Sequence, residues 1–174
     1  IADLVREASF WAGRSGQKQV GSGDVARAER ERIRRANRVE EEVQRMLDEG
    51  SLRVDVAGSA VGQINALTVL SVGNYDFGRP SRVTVRTYTG RQGVISLDRE
   101  AKLSGRIYDK GLFTLDGYLG GKYALQTPLS MSGSISFEQL YEEIEGDSAT
   151  CAELCALLSS LGELPVLQGV AVTG

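Results

Sequence analysis

At Ser51 the hydrophobic period of the chain changes, and one regular architecture cannot serve both sides of the change. Before it, Ile1, Leu4, Val5, Ala8 and Trp11 or Ala12 recur at the spacing of one buried helical face over residues 1–15, and Gly16 follows as a stop. The turn Gly21-Ser22-Gly23, with Ser22 or Asp24 as cap, opens a predicted long helix over residues 24–49 that ends at Gly50. After Ser51 the pattern is β-like: Val54 and Val56 alternate with polar neighbours, residues 61–72 are rich in β-formers, and Val83, Val85 and Thr87 alternate with Arg82, Thr84 and Arg86. The prediction is an α+β chain, with a helical segment over residues 1–49 and a second domain over residues 50–174.

Within that second domain Gly73-Asn74, Asp76-Phe77-Gly78-Arg79-Pro80 and Gly90-Arg91-Gln92-Gly93 predict turns, and residues 94–97 a short strand. Residues 103–124 return to helical spacing although they contain Gly105, Gly111, Gly117, Gly120 and Gly121. Each glycine inside a helix costs up to about 1 kcal/mol relative to alanine, so their number predicts close packing of that helix. A strand over 131–137, an acidic loop over 138–147, a helix over 148–161 and an apolar strand over 166–172 complete a terminal β-α-β unit.

Composition then restricts the chemistry. There is no histidine among the 174 residues, which excludes a Ser-His-Asp triad or Cys-His pair, and leaves the two cysteines without partners for zinc. Cys151 and Cys155 lie one helical turn apart and read as buried thiols of a reducing cytoplasm; no metal site is expected. No apolar run is long enough to span a bilayer, and the net charge of -3 draws the whole chain to no polyanion. Locally, Arg27, Arg30, Arg34 and Arg38 share one side of the predicted 24–49 helix. Two readings stand for it: a basic face for DNA or another nucleic acid, or a solvated helix laced with i,i+4 pairs such as Arg27-Glu31 and Arg38-Glu42.

Residues 145–150, Glu-Gly-Asp-Ser-Ala-Thr, run directly into the apolar helix pattern. Ser148 falls where free backbone N–H groups and the positive end of the helix dipole converge, a setting suited to a nucleophile. Ser148 or Asp147 equally suits a helix cap. Without histidine, a nucleophilic Ser148 requires another base, and a lysine is the available variant. Lys18, Lys102, Lys110 and Lys122 are the lysines in the chain. Glu145, three residues before Ser148, is placed to meet an ammonium group or to hold the turn, whereas the wider set Glu138, Glu142, Glu143, Glu145 and Asp147 reads mainly as an exposed acidic loop.

The motif Gly-Asp-Ser-Ala-Thr entering a Cys/Ala/Leu helix, followed by Leu164-Pro165, an apolar strand and Ala171-Val172-Thr173-Gly174, resembles the proteolytic domain of Lon proteases. Bacterial Lon-related ATP-dependent proteases, with Gly-Asp-Ser-Ala in place of Gly-Pro-Ser-Ala, are the nearest likeness. Residues 61–67 resemble the opening strand of that domain, 110–119 its first helix, 134–137 the strand leading to the catalytic loop, and 1–49 the end of an AAA+ lid. The resemblance implies an ATP-dependent serine endopeptidase acting on unfolded proteins through a Ser-Lys dyad. Ser148 is its nucleophile, with Glu145, Gly146, Asp147 and Thr173 in support. The general-base lysine is expected beyond Gly174, so that residues 1–174 alone are expected to be inactive, as a piece of a longer chain. The resemblance further implies a cytoplasmic homo-oligomeric ring, commonly a hexamer, with ATP and Mg in a preceding AAA+ module. No Walker-type loop occurs here. The rival reading is a non-proteolytic binding or assembly module in which Ser148 is only a cap.

Overall fold

A computed structural model describes residues 1–73 and 75–174, and the chain divides into two compact units. The first comprises Ile1–Met46 with Leu70–Phe77, the second Leu47–Val69 with Gly78–Gly174.

In the first unit, α1 (Ala2–Arg14) packs on α2 (Ser22–Ala36), followed by α3 (Arg38–Asp48). Small side chains make the contact: Ala8, Ala12 and Ala28 are buried. Trp11 contributes from the edge, half-buried, with the Arg27 guanidinium 3.9 Å from its ring centroid. A two-point fork from Arg35 to Glu7, at 2.8 and 2.6 Å, ties α2 to α1 and holds the Glu7 carboxyl below its ordinary value. Asp24 accepts the Gly21 N–H at 2.9 Å and so closes the start of α2.

The single helix expected over 24–49 is therefore two. The break falls at Asn37, which ends α2 and whose side-chain amide donates to Glu41. The expected i,i+4 pairs are replaced by i,i+3 pairs, Arg34-Glu31 and Arg45-Glu42. The expected basic row is interrupted as well: Arg27 lies over Trp11, Arg34 is paired, and Arg38 belongs to the next helix.

The second unit holds α+β elements with two sheets, apart from the end of β2 and the start of β3 within 70–77, which belong to the first. β1 (Ser59–Ala60) pairs antiparallel with β6 (Val166–Leu167). The larger sheet comprises β2 (Gln63–Val72), β3 (Tyr75–Thr89), β4 (Gly93–Ser96), β5 (Met131–Phe137) and β7 (Ala171–Val172) in the order β4-β5-β3-β2-β7. β5 runs antiparallel to β3 and parallel to β4, and β7 runs parallel to β2. Helices α4 (Leu97–Glu100), α5 (Arg106–Tyr123) and α6 (Thr150–Gly162) complete the set. One core gathers Ile64 and Ala66 of β2, Val83 and Val85 of β3, and Ile135 and Phe137 of β5. To these α5 adds Tyr108, Leu112, Leu115 and Leu119, and α6 adds Ala152, Ala156 and Leu157. The α5 residues follow the 4-3-4 spacing of a single helical face.

Several expectations are corrected. The turn at 76–80 is part of β3: Phe77, Arg79, Ser81, Val83 and Val85 keep strict alternation toward the buried side, but Arg79 and Ser81 stand where apolar residues are expected. The Gly73-Asn74 turn involves Asn74, outside the described residues. Val54 and Val56 form no strand, because side chains satisfy that backbone: Gln139 Oε1 accepts the Arg53 N–H and Asn65 donates to the Asp55 carbonyl. The strand expected over 166–172 is split between the two sheets. Gln168 is the wedge, buried, with its side-chain amide donating to Gln63 O and Val166 O.

Close packing does not explain most α5 glycines. A Cβ on Gly117, Gly120 or Gly121 meets nothing within 4 Å, whereas one on Gly111 lies 2.5 Å from Thr150 Oγ1. Alanine at Gly117 is therefore expected to stabilise the fold, by up to about 1 kcal/mol, through helix propensity and a less disordered unfolded chain. A rise in the denaturation midpoint checks this, and a fall refutes the open-space reading.

Candidate active site

The loop over 138–147 is less polar in its role than in its composition. Leu140 and Ile144 are buried in the core, and Ile144 forms a parallel bridge with Ser104. Ile144 donates its N–H to Leu103 O at 2.9 Å and accepts from the Gly105 N–H at 2.8 Å. The loop is thereby laid along the start of α5. Glu145 then accepts the Ile107 N–H at 3.3 Å, so this carboxylate meets the positive end of α5. It holds the turn, the second of the two roles open to it; a Cβ on Gly105 would lie 1.3 Å from its Oε2, so glycine makes the seat.

Gly146 turns the chain with φ +94°, a conformation that favours glycine. Asp147 and Ser148 follow, both exposed. The Asp147 carbonyl accepts the Thr150 N–H at 3.1 Å, and α6 begins at Thr150, two residues later than expected. Its N-cap is Ala149, with no side-chain cap. The capping role open to Ser148 or Asp147 is thus not the one they occupy; helix α6 leaves the Ser148 hydroxyl on the surface at its dipole-positive end.

Gly111 of α5 supports this turn from the other side, since its added Cβ would approach Thr150 Oγ1 at 2.5 Å and Asp147 Cβ at 3.3 Å. The last strand closes it. β7 is placed by its parallel register on β2, Asn65 to Ala171 and Ala66 to Val172, and the chain runs through Thr173 to Gly174, whose N–H donates to the Ser148 carbonyl at 2.8 Å. Ser148 and Gly174, 26 residues apart in sequence, are one hydrogen bond apart in space.

Of the lysines, Lys122 donates to the Tyr118 hydroxyl at 2.9 Å, which raises its pKa, the opposite of what a general base requires. Lys110 projects into a groove along α5 with Arg106, Asp109, Phe113 and Thr114. The cysteines are not the buried pair expected: Cys151 is exposed and Cys155 half-buried, the latter thiol raised in pKa by burial and then by Cys151.

Behind the turn lies a polar cluster that the sequence pattern does not announce. Glu153, in α6, is wholly buried and accepts the Tyr108 hydroxyl on Oε1 at 2.6 Å; Ser96 Oγ lies 2.9 Å from the same phenolic oxygen. Among the described residues Glu153 Oε2 has no hydrogen-bond partner. Burial pushes its pKa up to about 7, the Asp98 charge adds to the rise, and the Tyr108 hydrogen bond opposes it. Asp98, also raised by burial, accepts the Phe137 N–H at 3.1 Å. A glutamate among Ala and Leu at helical spacing is the available signal.

The sign of the linkage follows. A folded-state pKa above the unfolded value gives stability that is complete below about pH 4.5 and is lost as pH rises through about 7. The loss attributable to Glu153 is about 3 kcal/mol by the 1.36 kcal/mol per unit rule. Measured as the difference between the protein and its Glu153→Gln variant, the unfolding free energy should fall across that window; a flat difference excludes a buried neutral acid.

Comparison with known proteins adds an independent line. Residues 1–35 match the family model of the archaeal LonB AAA+ ATPase LID domain. A Lon protease homolog of Escherichia coli (strain K12) is 38% identical over 136 residues, covering 75% of this chain and 23% of that protein. Its counterpart in Haemophilus influenzae is 40% identical over 123 residues, 70% of this chain and 20% of that protein. An archaeal Lon protease of Pyrococcus abyssi is 27% identical over 195 residues, covering 100% of this chain and 17% of that protein. The chain thus spans less than a quarter of the length of each of these relatives. Among the described residues no helix is long and apolar enough to cross a membrane.

Proposed function

The chain belongs to a Lon-related family, and from that premise we propose that residues 50–174 are part of a Lon-type proteolytic domain, that residues 1–49 end an AAA+ lid, and that Ser148 is the nucleophile of a serine endopeptidase. The observation that carries this reading is the Gly174 N–H bond to the Ser148 carbonyl, which brings the end of β7 beside an exposed serine at a helix start. A lysine following Gly174 in the intact protein would enter the site from that point.

In the proposed reaction the lysine takes the Ser148 hydroxyl proton as Oγ attacks the peptide carbonyl. The C–N bond breaks, the amine leaves with that proton, and water hydrolyses the acyl-enzyme. Backbone N–H groups over 146–148 are the proposed oxyanion donors, a role worth about 3 to 4 kcal/mol per donor in other enzymes. The Thr150 N–H is engaged by Asp147 and is no candidate. Thr173 would orient the lysine, while Asp147 borders the serine and Glu145 and Gly146 shape its turn. The substrates are unfolded proteins, delivered by a hexameric cytoplasmic ring whose AAA+ module holds ATP and Mg.

The test is covalent. An alkyl phosphonofluoridate added to the intact protein should inactivate peptide hydrolysis in step with a single adduct on Ser148, located by peptide mass mapping. Inactivation with Ser148 unmodified would overturn the assignment.

A further inference from the structure

The buried acid behind the nucleophile turn has no place in the Ser-Lys chemistry. Glu153 sits one helical turn inside α6, five residues after Ser148, in a position where the flanking Ala152, Ala156 and Leu157 are core hydrocarbon. Every ionisable or polar group shown to face it is acidic or neutral: Tyr108 from α5, and Ser96 with Asp98 from the corner between β4 and α4. Ser96 is itself engaged by the Arg99 N–H, and Asp98 by the Phe137 N–H of β5. Among the described residues no lysine or arginine forms an ion pair or hydrogen bond with Glu153, and its Oε2 is left without a donor.

We propose that Glu153 is a positioning residue for Ser148: as the neutral acid it lets the first turn of α6 stay packed in the core against α5, and on ionising, the cost of a buried anion outweighs its stronger bond to Tyr108 and displaces the nucleophile turn. The inference rests on Ser148 being the nucleophile. A buried anion with one unsatisfied oxygen and no counter-charge is relieved by moving toward water. The route is short, because the segment just ahead of Glu153 is already at the surface at Ser148 and Cys151. Helix α5, which supplies Tyr108, also supports the turn at Gly111 and seats Glu145 at its first turn. Any shift of the first turn of α6 relative to α5 therefore changes the seat of Ser148 and its bond with Gly174.

The consequence is opposed pH limbs. A general-base lysine gains activity as it deprotonates with rising pH, while over the same direction the ionised Glu153 drives the first turn of α6 out of its packed position. In the intact protein, the rate of Ser148 phosphonylation should show a descending limb centred near the Glu153 pKa of about 7. Glu153→Gln, which keeps the acceptor for Tyr108 and cannot ionise, should lack this limb and react at least about 5-fold faster than the parent two pH units above that midpoint. Tyr108→Phe removes a hydrogen bond that favours the anion and should move the midpoint upward. Hydrogen–deuterium exchange of residues 148–156 should quicken across the same midpoint, beyond its intrinsic pH dependence, in the parent and not in Glu153→Gln. A descending limb retained in Glu153→Gln overturns the proposal; should that variant fail to fold, an unmoved midpoint in Tyr108→Phe does so. The exchange readout needs no catalysis, so a serine that never reacts removes the peptidase reading while the Glu153-dependent opening of α6 is still observed or refuted.

Discussion

Ser148→Ala in the intact protein should cut degradation of an unfolded polypeptide by on the order of 10³-fold or more, while leaving thermal stability within about 0.5 kcal/mol of the parent. The pairing of these two outcomes is what distinguishes the alternatives. A serine acting as helix cap would cost about 1 kcal/mol on replacement by alanine and nothing in turnover. In the structure α6 carries no side-chain cap, the Ser148 hydroxyl is exposed, and the bond to Gly174 uses the Ser148 main-chain carbonyl, which alanine retains. The substitution removes the proposed attacking oxygen with the fold intact. Unchanged degradation with unchanged stability would remove Ser148 as the nucleophile, and degradation absent from the parent as well would leave the chain as a binding or assembly module.

The largest stability effect is expected away from Ser148, at Gly62. This residue has φ +68°, and a Cβ there would lie 2.5 Å from the Val85 carbonyl oxygen and 3.2 Å from Ser160 Cβ. Its backbone is committed as well: Val85 donates its N–H to Gly62 O at 2.7 Å, and the Gly62 N–H goes to Ser159 Oγ at 2.9 Å. The left-handed conformation alone costs an L-residue roughly 1–2 kcal/mol. Displacing the β3 backbone brings the expected total for Gly62→Ala to roughly 3–5 kcal/mol. For a domain of this size that is a fall in Tm of roughly 10 °C. Gly58→Ala is the control, since Gly58 has φ +79° but open space around its Cβ direction; it should lose only the conformational part. Equal losses at the two positions would show that the contact with Val85 contributes nothing.

How much of the fold is legible in the sequence depends on which side chains keep the period visible. β5 is legible at its observed bounds because Met131, Ile135 and Phe137 are apolar on the buried side. The first part of β3 is not, because Arg79 and Ser81 occupy that side. Arg79 reaches Glu142 at 3.7 Å and Ser81 meets Thr68 at 3.2 Å, and partners so distant in sequence cannot be inferred from local alternation. Asn37, in a stretch charged on all faces, gives no contrast by which to place a break between α2 and α3. At the candidate site, the motif names Ser148 and Thr173 without their juxtaposition, which the bond from the Gly174 N–H to the Ser148 carbonyl supplies. Gly111 signals close packing without naming its partner, and the seating of Glu145 on the start of α5 needs the long-range bridge from Ile144 to Ser104. Glu153 is hidden by its surroundings, since a lone acid on an apolar helix reads as a point of solvation until it is found buried.

The bond between Gly174 and Ser148 also orders events in time. β7 docks on β2, whose partner residues lie more than a hundred positions earlier, so the turn around Ser148 gains the support of Gly174 through a contact of very long range in sequence. A chain emerging from the ribosome would expose the serine well before that support arrives. A Ser148 that acts as proposed would thus stay unarmed through the interval in which the nearest unfolded polypeptide is its own chain.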